Sequence, residues 1–327
     1  MNSRQRFKET MAYGQPDRVP YFEEGIKEEV LRNWRVEGMA ADVAFSTLFH
    51  SDKQEELAPD VEPIPFPKTW PATRSELRIL RERLDPNDPE RLPAEWPKRV
   101  KSWRNRDHVL MVRVNRGLFQ TLGITDWRRF SEVIYLLKDD PEFVREAMGI
   151  QSEFVVAMLK RILAEVEVDA AIFSEPIGGN SGPLISPRMY EEFALDSYEP
   201  ILSTLREHGI ETIIFRTYAN SRILIPSILK RGFNCLWACE VEVKSMDYRD
   251  IRKEYGKDLR LIGGIDLDSL LDGRDSIRRE LEEKVPALLA QGGYVPLADG
   301  RVRKDVPYER YIYYRQLLQS LITGATG

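Results

Sequence analysis

Residues 211–266 read ETIIFRTYAN SRILIPSILK RGFNCLWACE VEVKSMDYRD IRKEYGKDLR LIGGID. Three short apolar runs alternate with two amphipathic segments. Each run ends in polar residues: Arg216, Tyr218 and Asn220, then Glu240, then Asp266. Parallel strands give this rhythm, because a buried parallel strand is apolar throughout and needs a helical crossover to reach the next. In a closed barrel of such units the functional groups gather where strands give way to loops, at the C-terminal face.

Outward from this stretch the alternation continues. Upstream, VPYFEE (19–24) reads as a first strand carrying Glu23 and Glu24, and DVAFSTLFHS (42–51) as a second. HVLMVRVNRG (108–117) reads as a third, with Arg113 and Asn115 two residues apart and therefore expected on one face. DAAIFSEPIGGNSGP (169–183) is a strand ending at Glu175. Downstream, GGYVPLAD ends at Asp299, and a closing helix starts at Tyr308. About eight strands, each followed by a helix, predict an α/β chain forming a single (β/α)8 TIM barrel over residues 1–327. Residues 52–107, rich in proline and charge, are expected to be an irregular insertion or lid within it.

The 327 residues suit one large domain. A net charge of -5 without a long basic stripe argues against nucleic acid as a partner. No apolar run approaches the roughly 20 residues that span a bilayer, and the N-terminus lacks a signal-peptide core, so a cytoplasmic enzyme is expected. Cys235 and Cys239 are four strand residues apart, about 13 Å, too far for a disulfide, and are expected as buried thiols.

Several segments carry a family resemblance: SRQRF at the start, PDRVP before the first strand, DDPEFV, SGPLISPRMYEEF, LRLIGGIDLDSLLDG and the tail GGYVPLADGRVRKDVPYERYIYYRQLL. Together they resemble the uroporphyrinogen decarboxylase superfamily, which includes the haem-pathway decarboxylase and corrinoid-linked methyltransferases. The resemblance implies a (β/α)8 barrel with its site at the C-terminal face. It also marks departures. Glu23 and Glu24 stand where the decarboxylase has arginines for substrate carboxylates, Arg216 and Tyr218 where the methyltransferases have a zinc-holding His-x-Cys pair, and Gly300 where the family has a late histidine. Arginine has no lone pair to give zinc, so the usual zinc motif is absent.

The strand ends supply the candidate site. Tyr218, Glu240, Glu175 and Asp299 are the candidate acid–base groups, since a carboxylic acid of raised pKa or a phenol can deliver a proton. Arg216, Asn220, Arg113, Asn115, Glu23, Asp266 and Arg301 are candidate substrate-binding groups, with Arg216 as a planar fork for a carboxylate or phosphate. Glu240, Asp266 and Cys239 are the alternative metal ligands. Rim ion pairs and helix caps account equally well for any single one of these residues. The resemblance implies, first, a methyltransferase that moves a methyl group from a small methylated substrate to a corrinoid carried by a partner protein. A decarboxylase-like lyase acting on a small carboxylic acid is the alternative, and a catalytically degenerate ligand-binding barrel a third. The aromatic final helix suits either closure of the barrel, the commoner role of such a helix, or packing against a second subunit in a homodimer.

Overall fold

The computed structural model describes residues 1–40, 49–179, 181–239 and 245–324. Among them, strands of four or more residues are β1 (Gln54–Leu57), β2 (Val109–Asn115), β3 (Ala170–Glu175), β4 (Ile213–Tyr218), β5 (Cys235–Cys239), β6 (Arg260–Ile265) and β7 (Tyr294–Ala298). The chain divides into two compact units. One comprises Met1–Gln54, Asp107–Val109 and Cys235–Gly327; the other comprises Glu55–Arg106 and Leu110–Asn234.

In the second unit β2, β3 and β4 run parallel. Ala171 stands opposite Ile213 and Phe173 opposite Phe215. These strands read as continuous apolar runs because both of their faces are covered: Val112, Ile172, Phe173, Ile214 and Phe215 are all buried. The long helix Pro141–Leu163 starts on Asp140, whose carboxylate accepts from the Phe143 amide at 3.1 Å, with proline in its first turn. Ser186 likewise caps the helix beginning at Pro187. The part of residues 52–107 that lies in this unit is largely built into it. Leu77, Leu80 and Trp103 are buried, and the Arg91 guanidinium lies 4.8 Å above the Phe154 ring.

In the first unit β5, β6 and β7 are parallel neighbours, and the aromatic helix Tyr308–Thr323 packs on the core. Tyr311 and Tyr314 of that helix are buried within the unit, and Trp34 lies 4.8 Å from the Tyr311 ring. Gly264 shows why IGGID needs its glycines. Its φ is +84°, and a Cβ there would sit 2.5 Å from the Tyr248 ring, whose hydroxyl accepts no such displacement while it bonds Ala238 and Ile262. At Gly264 the requirement is packing against Tyr248.

The mixed α/β class holds, but the described residues do not form eight barrel strands. Residues 19–24, expected as the first strand, are extended chain outside any ladder. Most of the expected second strand, residues 42–48, lies outside the described residues. Tyr21 and Phe22 are nonetheless buried, so the apolar pattern marks core without marking a strand. Both cysteines are buried and outside any disulfide, as the spacing predicts, and burial pushes the Cys235 thiol up to about 12. No helix among the described residues is long and apolar enough to cross a membrane.

Candidate functional site

The candidate residues fall in both units. The second holds Arg113, Asn115, Glu175, Arg216, Tyr218 and Asn220; the first holds Glu23, Cys239, Asp266, Asp299 and Arg301. Glu240 lies outside the described residues.

In the second unit, register decides which side chains meet. Arg113 pairs with Ile172, and Ser174 pairs with Arg216. Ile172 and Ser174 share a face of β3, so both arginines project from that face. They converge on Glu56 of β1. Arg216 donates from Nη1 to Glu56 Oε2 at 2.8 Å, and Arg113 Nε lies 3.3 Å from Glu56 Oε1. The Arg216 side chain is 12% exposed, those of Glu56 and Arg113 30% and 35%. One carboxylate thus sits in a fork of two guanidinium groups, open on one side to solvent. Arg116, which follows β2 in the chain, pairs with Glu62. Tyr218, two residues after Arg216, lies on the same strand face and is half-buried.

Asn115 does not join Arg113, contrary to the strict period of two. A β-bulge intervenes: Arg113 pairs with Ile172 but Asn115 with Phe173, so two steps on β2 match one on β3. Asn115 therefore turns to the opposite face, where it is buried near the Tyr198 hydroxyl. Glu175 faces the same way and is likewise separated from Arg216. It is fully buried. Oε1 accepts from the Leu118 amide at 2.9 Å, and Oε2 accepts from the hydroxyls of Tyr190 at 3.1 Å and Tyr198 at 2.8 Å. Burial raises its carboxyl to about 7, and the three hydrogen bonds only partly oppose that rise. Gly117 is required beside it, at φ +91° with a Cβ position 2.5 Å from Oε1. Glu175 pins the corner that follows β2 and is closed off from solvent. Asn220 also has a local task, accepting from the Arg222 amide at 3.2 Å in the turn after β4.

This buried carboxyl gives a pH dependence with a definite sign. The folded pKa lies above the ordinary value of 4.5, so the folded state holds a proton that the unfolded state releases. Stability is therefore greatest below about 4.5 and falls as pH rises to about 7, by roughly 3 kcal/mol for this group alone. Glu175→Gln keeps the shape and cannot ionise. Urea melts from pH 5 to 8 are expected to show the variant matching the wild type at pH 5 and exceeding it at pH 8. A variant weaker than the wild type at pH 8 would mean that the ionised form is the one the fold prefers.

In the first unit, Glu23 is bound within the protein. Its carboxylate accepts from Tyr311 and, at 2.5 Å, from Arg315 Nη1. Arg315 is 1% exposed. It lies 3.9 Å over the Tyr21 ring, and its other nitrogen donates to Ser51 at 2.9 Å. Asp299 is buried and accepts from the Leu267 amide at 3.4 Å, and burial raises its carboxyl to about 6 against the pull of Arg303. Asp266 caps the turn at Asp268, while Arg301 is exposed. Among the described residues no three His, Cys, Asp or Glu side chains gather as metal ligands. Arg216 and Tyr218 offer no imidazole or thiolate. The donor set present does not fit zinc.

The family model for uroporphyrinogen decarboxylase (URO-D) matches residues 125–296, just over half of the 327-residue chain. The chain belongs to the uroporphyrinogen decarboxylase family. This is an enzyme family, and the matched span carries Glu175, Arg216, Tyr218, Asn220 and Asp266 of this URO-D member. No curated protein matches the chain. Among solved structures it is similar to xylanase B from Clostridium stercorarium F9, at 13% identity and a TM-score of 0.40, over 68% of this chain and 76% of that one.

Reading the URO-D chain by strand ends missed Glu56, Arg116, Glu62 and Arg315. Glu56 lies in QEEL, whose charges hide a strand, and Arg315 lies in a final helix that stood out in the sequence only for its aromatic residues.

Proposed function

We propose that this URO-D family member is a lyase-like enzyme that anchors a small carboxylic acid on Arg113 and Arg216 and releases carbon dioxide from its substrate. The observation that carries the reading is the pair of guanidinium groups converging on the single carboxylate of Glu56. Glu56 stands in for the substrate's carboxylate, which displaces it. In the chemical step the bond between carbon and the departing carboxylate breaks, its electron pair stays on carbon, and a proton closes the valence. Tyr218, on the arginine face of β4, is the assigned donor, and solvent returns its proton. The clamped carboxylate is one that the substrate keeps, distinct from the one that departs, so the arginines grip it equally before and during this step, and the loss of either shows chiefly in KM.

The second reading is methyl transfer from a small methylated compound to the corrinoid of a partner protein. Glu23 favours it over porphyrinogen decarboxylation: a glutamate already committed to Arg315 and Tyr311 replaces the cations that a polycarboxylate would need. Arg216 and Tyr218 do not fit zinc as ligands.

The test is a panel of small carboxylic acids assayed for released carbon dioxide, with a parallel panel of methylated compounds and cob(I)alamin. Carbon dioxide release that Arg216→Ala weakens supports the lyase reading. Methylation of cobalt without carbon dioxide supports the second. Carboxylate binding with neither reaction would support a binding protein that has lost catalysis.

A further inference from the structure

Each hydrogen-bond partner of the Glu175 carboxyl is a donor: the Leu118 amide on Oε1, and the Tyr190 and Tyr198 hydroxyls on Oε2. Two tyrosines reach one oxygen because the helix that carries them is not regular. Eight residues of an unbroken α-helix would turn their side chains about 80° apart. A π-helical turn, Glu191–Leu195, lies between them, and its wider winding removes most of that offset. Three donors suit a carboxylate, which only accepts. A carboxylic acid also carries an O–H that needs an acceptor. Burial favours the acid, so the fold has to supply one.

Two unspent polar side chains lie on this side of the sheet. Asn115 is 2% exposed and stands beside the Tyr198 hydroxyl without completing a hydrogen bond; both Oδ1 and Nδ2 are unpartnered among the described residues. Thr217, opposite Glu175 on β4, is fully buried, and its Oγ1 is likewise unpartnered. Among the described residues no charged side chain shifts the Glu175 carboxyl; burial, the two tyrosines and the Leu118 amide set its state. Of the two unspent groups, Asn115 is the one that borders Tyr198. We propose that Asn115 is the acceptor in a hydroxyl switch. When Glu175 takes a proton from solvent on Oε2, that O–H donates to the Tyr198 oxygen, and the Tyr198 hydroxyl turns from Glu175 to Asn115 Oδ1. Tyr190 and the Leu118 amide keep their bonds to the carboxyl, so the corner after β2 is held in both states. Loss of the proton reverses the turn.

The test is carbon-13 NMR of the full chain labelled at glutamate Cδ and titrated from pH 5 to 8, the Glu175 resonance being the one that Glu175→Gln removes. Its midpoint is expected at about 7 in the wild type. Asn115→Leu, which keeps the bulk and deletes the acceptor, is expected to lower that midpoint by about one pH unit, and Thr217→Val to leave it in place. In a Tyr198→Phe background Asn115→Leu is expected to have no further effect, because the relay is already cut. An unchanged or raised midpoint in Asn115→Leu overturns the switch, as does a midpoint that falls only in Thr217→Val. An undiminished effect of Asn115→Leu in the Tyr198→Phe background overturns the route through Tyr198. Should the leucine variant not fold, the wild type gives a second reading. The tyrosine Cζ resonance that Tyr198→Phe removes is expected to move through the Glu175 midpoint, and a Tyr198 signal that stays flat overturns the proposal.

Discussion

Arg216→Ala lowers kcat/KM for a carboxylic acid substrate by roughly 100- to 1000-fold, most of it as a rise in KM. The size follows from the geometry. Arg216 presents two nitrogens to Glu56 at 2.8 and 3.4 Å from a side chain only 12% exposed, so a carboxylate that takes the place of Glu56 meets a partly desolvated fork. Arg113, more exposed, supplies a weaker second contact, and its alanine variant is expected to lose less. The fold should tolerate the change because Glu56 keeps Arg113. Steady-state kinetics with a circular-dichroism melt of the variant checks both halves. A fall in kcat alone, at unchanged KM, would instead place Arg216 in the chemical step.

The second large effect concerns stability. Arg315→Ala is expected to cost about 3–5 kcal/mol, because it leaves the Glu23 carboxylate without its cation and opens a void beneath Tyr21. Arg315 holds Glu23, Ser51 and the Phe22 carbonyl at once, tying the final helix to the extended chain at 21–23. Removing the charge pair as a whole should be far milder. Arg315→Met combined with Glu23→Gln is expected to recover most of the loss, since neither residue then strands a partner. Urea denaturation of the single and double variants decides this. A double variant as weak as Arg315→Ala would assign the loss to packing over Tyr21 instead of to the ion pair.

What the sequence made legible, and what it hid, has a physical pattern. Strands β2 to β7 were readable because each is an apolar run buried on both sides, and helix starts were readable because Asp140 and Ser186 cap them with their own side chains. The first expected strand failed because burial alone does not make a ladder: Tyr21 and Phe22 are core residues whose backbone bonds Asp52 and the Arg315 side chain instead of a neighbouring strand. The arginine face was readable at Arg113 and Arg216, but its carboxylate was not. Glu56 sits in a four-residue strand of charged residues, and only tertiary contact reveals why it is there. Asn115 was assigned to the wrong face because a bulge breaks the period without leaving a sequence mark. Glu175 had the raised pKa expected of a catalytic acid, yet for a structural reason: two tyrosines from the following helical segment enclose it. A perturbed carboxyl marks burial first, and chemistry only where the group can be reached.

The central claim is that Glu56 occupies the place of a substrate carboxylate between Arg113 and Arg216. The most direct measurement is calorimetric titration of propionate, a simple carboxylate, into wild type and Glu56→Gln at pH 7. Glutamine keeps the size of the side chain but no longer competes as an anion, so binding to the variant should tighten by about tenfold. Weaker binding to Glu56→Gln would contradict the account, for it would show that Glu56 orders the arginines for some other partner instead of holding the place of the acid.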